Sequence, residues 1–412
     1  MKNASSSEVI ETDLTPKSSK VENWHIPALH TQFKTEFHLR ILNLPDITEK
    51  DISAWADLEN YSLEDNANLS PYFVLPAIRN FEDPNKIILL FIEKLSSGHM
   101  ELTGVAVFKT SPPNKHFPLP HLTMFDIAHT SLCGMLIHKE YAQETLETIF
   151  SFLHKSNHRW HAVYCDKHSA EGPLYDLEHT VATSLGSDWR EYRRWEQATL
   201  LPSECDDTHL NQQISKPVRK NLERRLRRFE ELGKVEWKVK RGCDIDSETI
   251  KRFLELEHIG WKGKAGSSLL SKPANLNFFT ETVDNFQKEA RFLFTEFLLN
   301  DQVISSTTSF ISGRSCFCFK LGWDPEYAKL SPGTLNLFNW FRYGSQQFRE
   351  FDLIDSGASE DSFVNEIWGR RRTLHAGVYA LSSLGGLVSP ALYEAYNLKR
   401  KIRTFTNKTK IR

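Results

Sequence analysis

Residues Cys316–Phe341, CFCFKLGWDPEYAKLSPGTLNLFNWF, read as a buried strand, a short loop and a helix that begins abruptly at Ser331-Pro332-Gly333-Thr334. Ser331 suits the N-cap, where its hydroxyl can accept from a free backbone N–H of the first turn. Pro332 fits the first helical position, where no donor is lost. Gly333 has no Cβ and lets another group approach the backbone. A helix N-terminus with free amides and the positive end of the dipole is a ready anion site, and the phosphates of a cofactor are the obvious occupant. The same four residues also serve simply to start a helix, so their surroundings decide.

Those surroundings come in duplicate. In the first half, KIILLFIEKL, a turn at Ser96-Ser97-Gly98 and ELTGVAVFK read as a hairpin. The apolar stretch TSLCGMLIH follows as the third strand, then a helix over Ala142–Leu153 and the strand WHAVYCD. In the second half, RFLFTEFLL, an Asn300-Asp301 turn and VISSTTSFI repeat the hairpin. CFCFKLGW is then the strand, Pro332–Arg349 the helix and EFDLIDS the next strand. The offset is roughly 200 residues, and such self-similarity marks a repeated structural unit. Mixed α/β domains in tandem are the expected fold class.

The polar, acidic segment Pro202–Gln213 forms the junction. The expected organisation is a disordered N-terminal tail over 1–30, a first domain over 31–204, a second over 205–380, and a C-terminal helix with a basic tail over 381–412. Two basic runs stand out. Ser215–Gly233 is a helix with Val218, Leu222, Phe229 and Leu232 as its buried stripe and Lys216, Arg219, Lys220, Arg224, Arg225, Arg227 and Arg228 around them. NLKRKIRTFTNKTKIR ends the sequence. A net charge of −2 argues against a dedicated nucleic-acid binder. The six cysteines form no CxxC pair or zinc spacing, and no metal cluster is visible. With no apolar signal segment and no stretch fit to span a membrane, a soluble, cytoplasmic protein is expected.

The chemistry-bearing residues cluster in the second half. Within FLELEHIGWKGKAG, the helix Ile250–His258 sets Glu257 beside the apolar Phe253 and Leu254, where burial can fit a carboxylate for general-base work. The chain then breaks at Gly260 into a mobile turn, with Trp261 as a flat apolar wall and Lys262 as a point charge for phosphate or carboxylate. Lys320 interrupts an apolar strand. Asp355-Ser356-Gly357 ends the last strand of the repeat, where α/β sheets present site residues. Trp368 and Arg370-Arg371-Arg372 follow, and with Lys262 and Lys320 these arginines could neutralise a polyphosphate at the Ser331 helix start. No nucleophile motif of the GxSxG or Cys/His type is present, and His168 and His258 lack partner spacing.

Three of these segments together, LExxGWKGxxGS (Leu256–Ser267), FK…DPEYAxxSPGxL (Phe319–Leu335) and DSxA…WxxRR (Asp355–Arg371), resemble acyltransferases of the GNAT superfamily. Within it the pattern is similar to the tandem-domain group named after the cellulose-biosynthesis protein CelD and the BioF2-like acetyltransferase domain. The resemblance covers about residues 205–375 and is weaker over 35–200. It implies two tandem GNAT-like domains, the first degenerate and on the acceptor side, the second carrying the acyl-CoA wedge between CFCFKLGW and EFDLIDS. It implies transfer of an acyl group, usually acetyl, from acetyl-CoA or another acyl-CoA to an amine or hydroxyl of a small-molecule or saccharide acceptor, in envelope polysaccharide or lipid metabolism. Ser331, Gly333, Thr334 and Lys262 would bind the cofactor, and Trp261, Asp355 and Trp368 the acceptor. Glu257 would be the base, Lys320 would polarise the carbonyl, and Tyr327 or Ser356 would return a proton to the thiolate. Relatives often carry Cys where this chain has Gly357, followed by a His-Pro pair that is absent here. The basic runs leave two other readings open, an aminoacyl-tRNA-dependent transferase of the peptidoglycan-bridge type and a non-catalytic adaptor on the same scaffold, with weak contact to an anionic membrane surface as a further partner class.

Overall fold

The computed structural model of the protein describes residues 30–34, 36–96, 98–155 and 159–394. The expected N-terminal tail, apart from His30, and the basic run from Asn397 onward lie outside the described residues. The first half contains β1 (His30–Lys34), β2 (Phe37–Leu42), α1 (Glu49–Leu58), α2 (Pro71–Phe81), β3 (Ile87–Ser96), β4 (His99–Ser111) and β5 (His121–Met124). It continues with β6 (Leu136–Ile137), α3 (Ala142–Lys155), β7 (Ala162–Ser169), α4 (Pro173–Ser184) and β8 (Trp189–Leu200). The second half opens with α5 (Asp207–Gln213), α6 (Lys216–Leu232), β9 (Val235–Arg241), α7 (Ser247–Ile259), α8 (Trp261–Lys264) and α9 (Pro273–Lys288). Then come β10 (Phe292–Leu299), β11 (Gln302–Ser312), β12 (Ser315–Trp323), α10 (Pro332–Gln347), β13 (Leu353–Asp355) and β14 (Arg370–Ala380).

Local chemistry explains these boundaries. Asn300 and Asp301 both adopt positive φ, 49° and 64°, which turns β10 tightly into β11. Thr48 and Asp51 cap α1 reciprocally, and Asp246 caps α7 by accepting from the Thr249 N–H at 2.8 Å. In α6, Leu222 and Phe229 are buried as the periodicity requires, but Leu232 is 55% exposed because the chain leaves at Gly233 before that turn reaches the core.

All strands join one fourteen-stranded sheet in the order β1-β2-β3-β4-β5-β7-β14-β8-β13-β12-β11-β10-β9, with β6 beside β4. Pairing is antiparallel except between β5 and β7 and between β12 and β13. The two halves exchange strands at the centre. β8, the last strand of the first half, pairs with β13, and β14, from the end of the second, lies between β7 and β8. The third strand of the first half is HLTM (β5), not the expected TSLCGMLIH. Of that stretch only Leu136–Ile137 forms a strand; Cys133 and His138 make isolated bridges to His168 and Ser62, because the chain before β6 is drawn between β5 and β7.

Polar contacts lock the exchange. Asp355 is fully buried and accepts from Arg372 Nη1 at 2.6 Å, from Gln197 Nε2, and from the Gly357 N–H at 2.9 Å. Each donor comes from a different segment: β14, β8 and the loop after β13. A second latch joins the halves where Glu59, also buried, holds Arg291 in a bidentate pair and accepts from Ser70 Oγ and Ser312 Oγ at 2.7 and 2.8 Å. Among the described residues, no helix is long and apolar enough to cross a membrane.

Removing one member of a buried pair leaves the other charge uncompensated. Asp355→Ala is therefore expected to cost about 3–5 kcal/mol in equilibrium denaturation. A loss no greater than the ~1 kcal/mol of a surface pair would show that Asp355 does not hold the exchanged strands.

Candidate active site

β12 is the axis of the site. It pairs with β13 at three positions only, Ser315↔Leu353, Cys316↔Ile354 and Phe317↔Asp355, and the two parallel strands then part. Along its other edge the register with β11 shifts, so that Thr308 faces Lys320 while Ser309 faces Cys318. Phe319 is the extra residue of this bulge, a device that re-aims neighbouring side chains. Its ring packs with Phe310 and Phe279, whereas Lys320 lines the cleft between the halves.

The cleft measures about 960 Å³. Residues of the first half (Glu82, Lys109, Asp126, His129, Lys167) form one wall and those around Glu257, Lys262 and Lys320 the other. Three lysine–carboxylate pairs line it: Lys109–Glu82 at 3.0 Å, Lys167–Asp126 at 2.7 Å and Lys262–Glu257 at 3.2 Å. Lys320 has no such partner among the described residues. Burial, with the Lys262 charge adding to it, lowers the Lys320 ammonium to about 8, and Glu257 works against the shift.

Glu257 is buried where α7 presses on β12: a Cβ on Gly322 would lie 2.7 Å from the Glu257 backbone nitrogen. One carboxylate oxygen accepts from the Leu269 N–H at 2.8 Å and the other faces Lys262. Lys262 Nζ also donates to the Leu321 carbonyl at 2.9 Å. Glu257 is buried as its place beside Phe253 and Leu254 suggested, and it is also half of an ion pair with Lys262. The expected mobile turn at Trp261–Gly263 is a helical turn, α8, anchored by Lys262, with Trp261 62% exposed at the rim.

At the start of α10, Ser331 does not cap. It sits in the left-handed region, with φ 53° and ψ 62°, and its hydroxyl donates to the Ala328 carbonyl at 3.4 Å. The first-turn N–H groups of Gly333 and Thr334 are therefore left without the side-chain acceptor that the sequence suggested. Gly333 is packed close to β12, where an added Cβ would stand 3.1 Å from Leu321 Cδ2 and 3.2 Å from Trp323 Cδ1.

Other expected site residues serve the scaffold. Asp355 is consumed by the strand exchange. Trp368 is fully buried and donates to the Leu337 carbonyl at 3.0 Å, so it cannot meet an acceptor. Arg370 pairs with Glu204, Arg371 donates to the Asn365 carbonyl at 2.7 Å and Arg372 holds Asp355, which leaves none of the three for a polyphosphate. Tyr327 stacks at a tilt on Phe229 in the loop before α10, and burial raises its phenol above the usual range. Ser356 lies just past β13, its N–H donating to the Ala198 carbonyl and its Oγ accepting from the Ala358 N–H.

Sequence reasoning missed the first-half wall. His129 stacks on Phe278, its Nε2 lies 3.3 Å from Asn275 Oδ1, and burial followed by the Lys320 charge lowers it to about 4, which keeps it neutral. Asp126 is raised by burial against the pull of Lys167. The signal was available in the duplication: FDIAH follows β5 just as the site residues follow the paired part of β12.

Residues 216–363 match the model of the acetyltransferase (GNAT) domain. The likeness to a GNAT domain thus covers much of the second half of the chain. Among solved structures, FemX is 12% identical and aligns over 81% of this chain and 96% of its own, with a TM-score of 0.53. A conserved protein of unknown function from Bacteroides thetaiotaomicron is 9% identical over 81% of this chain and 98% of its own, with a TM-score of 0.50. The C-terminal domain of an Agrobacterium fabrum protein described as a lysylphosphatidylglycerol synthetase is 9% identical over 84% and 95%, also at 0.50. At these identities the likeness is one of fold. No curated protein matches the sequence.

Within the shared sheet the two halves differ at their parallel strand pairs. Between β5 and β7 the chain plugs its own gap: the Cys133 N–H donates to the Lys167 carbonyl at 2.9 Å, Cys133 bridges His168 in parallel, and its thiol faces the Phe125 carbonyl. Between β12 and β13 no segment of the described residues is inserted in this way; Gly357 rests against the Cys318 carbonyl at the point of parting. Gly357 has φ 60°, and a Cβ there would stand 2.8 Å from that oxygen and 3.3 Å from Ser131 Cβ. A cysteine side chain at this position has no room in this backbone. Gly357→Ala should destabilise the protein by about 1–3 kcal/mol in thermal or chemical unfolding, the cost of a strained left-handed residue; an unchanged midpoint would show that the loop relaxes freely.

Proposed function

We propose that the chain is an acyl-CoA-dependent acyltransferase of the CelD and BioF2-like group, using acetyl-CoA or another acyl-CoA and an amine or hydroxyl acceptor in the cleft. The reading rests on one observation above all. The gap between β12 and β13 opens beside the uncapped first turn of α10 on one side and the unpaired Lys320 on the other. Bound there, acyl-CoA would supply an activated acyl carbonyl. Gly333 and Thr334 would hold its phosphates through their N–H groups, and Lys320 would meet the negative charge that develops on the acyl oxygen. The ion pair to Lys262 makes Glu257 a holder of that cation on β12 and a support for the Lys320 proton. Proton removal from the acceptor then falls to the first-half wall, where His129 is held neutral and its Nδ1 has no hydrogen-bond partner among the described residues. The cytoplasm is the compartment that fits this donor.

Three measurements test the reading. Acetyl-CoA should raise the melting temperature, since a ligand selective for the native state must stabilise it. Titration should give one donor per chain because the first-half gap is plugged. Thr334→Glu, which sets a negative charge beside the proposed phosphates, should remove the thermal shift. No shift with acetyl-CoA, longer acyl-CoA or free CoA would end the proposal.

Lys320→Met should lower kcat by about 10²–10³-fold, the usual worth of an oxyanion donor. Because only the protonated amine stabilises that charge, activity should fall as pH rises through about 8. Glu257→Gln removes the influence that keeps the proton on Lys320, so the descending limb should move to lower pH; Lys320→Arg should abolish the limb. A pH–rate profile unaltered in both variants would remove Lys320 from the mechanism.

A second reading is favoured by α6. Lys216, Lys220, Arg224, Arg227 and Arg228 are exposed on it, and through Phe229 it packs on Tyr327 in the loop leading to α10. An aminoacyl-tRNA donor would place its phosphates on such a face. Binding of tRNA that weakens steeply with salt, with a slope flattened by neutralising these residues, would favour this donor over acyl-CoA.

A further inference from the structure

The first-half wall of the cleft holds two ammonium groups in fixed places. Lys109 Nζ donates to Glu82 Oε1 at 3.0 Å and to the Asp126 carbonyl. Lys167 Nζ donates to Asp126 Oδ1 at 2.7 Å and to the Thr130 carbonyl at 3.0 Å. Asp126 thus takes one lysine on its backbone and the other on its side chain, which brings both ammonium groups to one residue. An ammonium has three donors. Among the described residues each lysine commits two and keeps one N–H, and both side chains line the cleft. Burial disfavours the Lys167 charge, but Asp126 outweighs it and carries the group above its usual range. His129 follows on the same loop, three residues after Asp126.

Charge says what such a pair receives. Five lysines line the cleft against three carboxylates, and the two left over, Lys272 and Lys320, have no carboxylate partner among the described residues. A cleft with a surplus of cations, in a chain of net charge −2, draws anions. Lys320 is assigned to the acyl oxygen, which leaves the first-half wall to the acceptor. Two spare N–H donors on neighbouring ammonium groups match the two oxygens of a carboxylate, whereas the three terminal oxygens of a phosphate would leave one unmet. We propose that the acceptor carries a carboxylate beside its amine or hydroxyl, and that Lys109 and Lys167 bind that carboxylate while the nucleophile meets His129. The inference rests on the reading of the cleft as an acyltransferase site. In the transfer the nucleophile bonds to the acyl carbon as the C–S bond breaks. The proton it gives up passes through His129 to solvent, and the departing thiolate of coenzyme A takes one back.

The test is thermal-shift titration of the full chain at constant ionic strength, with coenzyme A present and absent. The probes are N-acetylglycine, which joins an acetylated nitrogen to a carboxylate, its neutral counterpart N-acetylglycinamide, and N-acetyl-phosphoethanolamine as the phosphate. N-acetylglycine should raise the melting temperature at millimolar concentration, the amide should not, and the phosphate should bind no more tightly than the acid. Lys109→Gln and Lys167→Gln should each weaken N-acetylglycine about tenfold or more, the loss of one hydrogen bond to a charged group, while the acetyl-CoA shift is kept. Lys167→Arg, which retains charge and donor, should lose less than Lys167→Gln. If the two lysines only brace the wall, the Gln variants will melt earlier with unchanged affinity for the probe. That outcome, equal binding of acid and amide, tighter binding of the phosphate, or no binding of the acid would each overturn the proposal. Thr334→Glu separates it from the reading beneath it, since that variant should lose the acetyl-CoA shift and keep that of N-acetylglycine. A chain stabilised by acetyl-CoA but not by N-acetylglycine loses this inference alone; one stabilised by neither loses both.

Discussion

The position of β14 between β7 and β8 is the constraint from which the rest of the molecule follows. A strand late in the sequence completes the ladder of the first half, while β8 of the first half completes that of the second. Neither half can then swing away without breaking backbone hydrogen bonds along the centre of the sheet. The cleft inherits this rigidity, since its walls, Asp126 and Lys167 on one side and Glu257, Lys262 and Lys320 on the other, hang from strands tied through the same ladder. The buried Asp355–Arg372 pair sits at the join and the Glu59–Arg291 pair at a second point of contact. A buried ion pair contributes little net stability against an apolar alternative, but it penalises every arrangement that separates its members. Here both pairs select one relative placement of the halves.

Within that frame the duplication is one of architecture, not of sites. Both halves part a pair of parallel strands, and parted strands expose backbone groups that must find partners. The first half satisfies them internally, by laying Leu132–Gly134 into the gap with Cys133 bonded to β7. Among the described residues the second inserts nothing comparable, and it places a helix start beside the opening. The bulge at Phe319 and the left-handed Ser331 belong to this second solution, since both break regular structure next to the gap.

Much of this was legible in the sequence, and what was not has identifiable causes. The hairpins, the Asn300-Asp301 turn, the helix from Pro332 and the repeated order of elements are local patterns, and local patterns survive folding. The strand exchange is not local. Nothing in WREYRRWEQATL says that its neighbour lies some 150 or more residues away in LID, so Asp355, Arg370 and Arg372 read as a binding surface when pairing across the fold had consumed them, as nearby carbonyls had Arg371. Ser331 failed for a subtler reason. Its residue type predicts a cap, but the tight helical turn Pro325–Leu330 delivers the chain in the left-handed region, where the hydroxyl turns back to Ala328. The first-half wall was passed over because each of its residues is ordinary alone; only the fold sets His129 beside Lys320.

The charge arrangement of the cleft narrows the roles further. Three of its lysines are matched to carboxylates, and an ion pair of this kind fixes position and spends charge. Of the other two, Lys272 is exposed, while Lys320 is held by no carboxylate of its own, stands over the Phe319 ring at 5.0 Å, and is pushed down to about 8 by burial and by Lys262. A half-buried ammonium without a fixed counter-ion is poorly solvated in the resting protein and gains most when negative charge appears beside it. That is the requirement for lowering a barrier rather than merely binding a ground state. His129, neutral at the same end of the cleft, adds no competing cation, and Glu257, already satisfied by Lys262 and the Leu269 N–H, does not collapse onto Lys320 and quench it. In the proposed reading Glu257 thus holds Lys262, and Lys320 is the half-buried cation placed to meet a developing oxyanion.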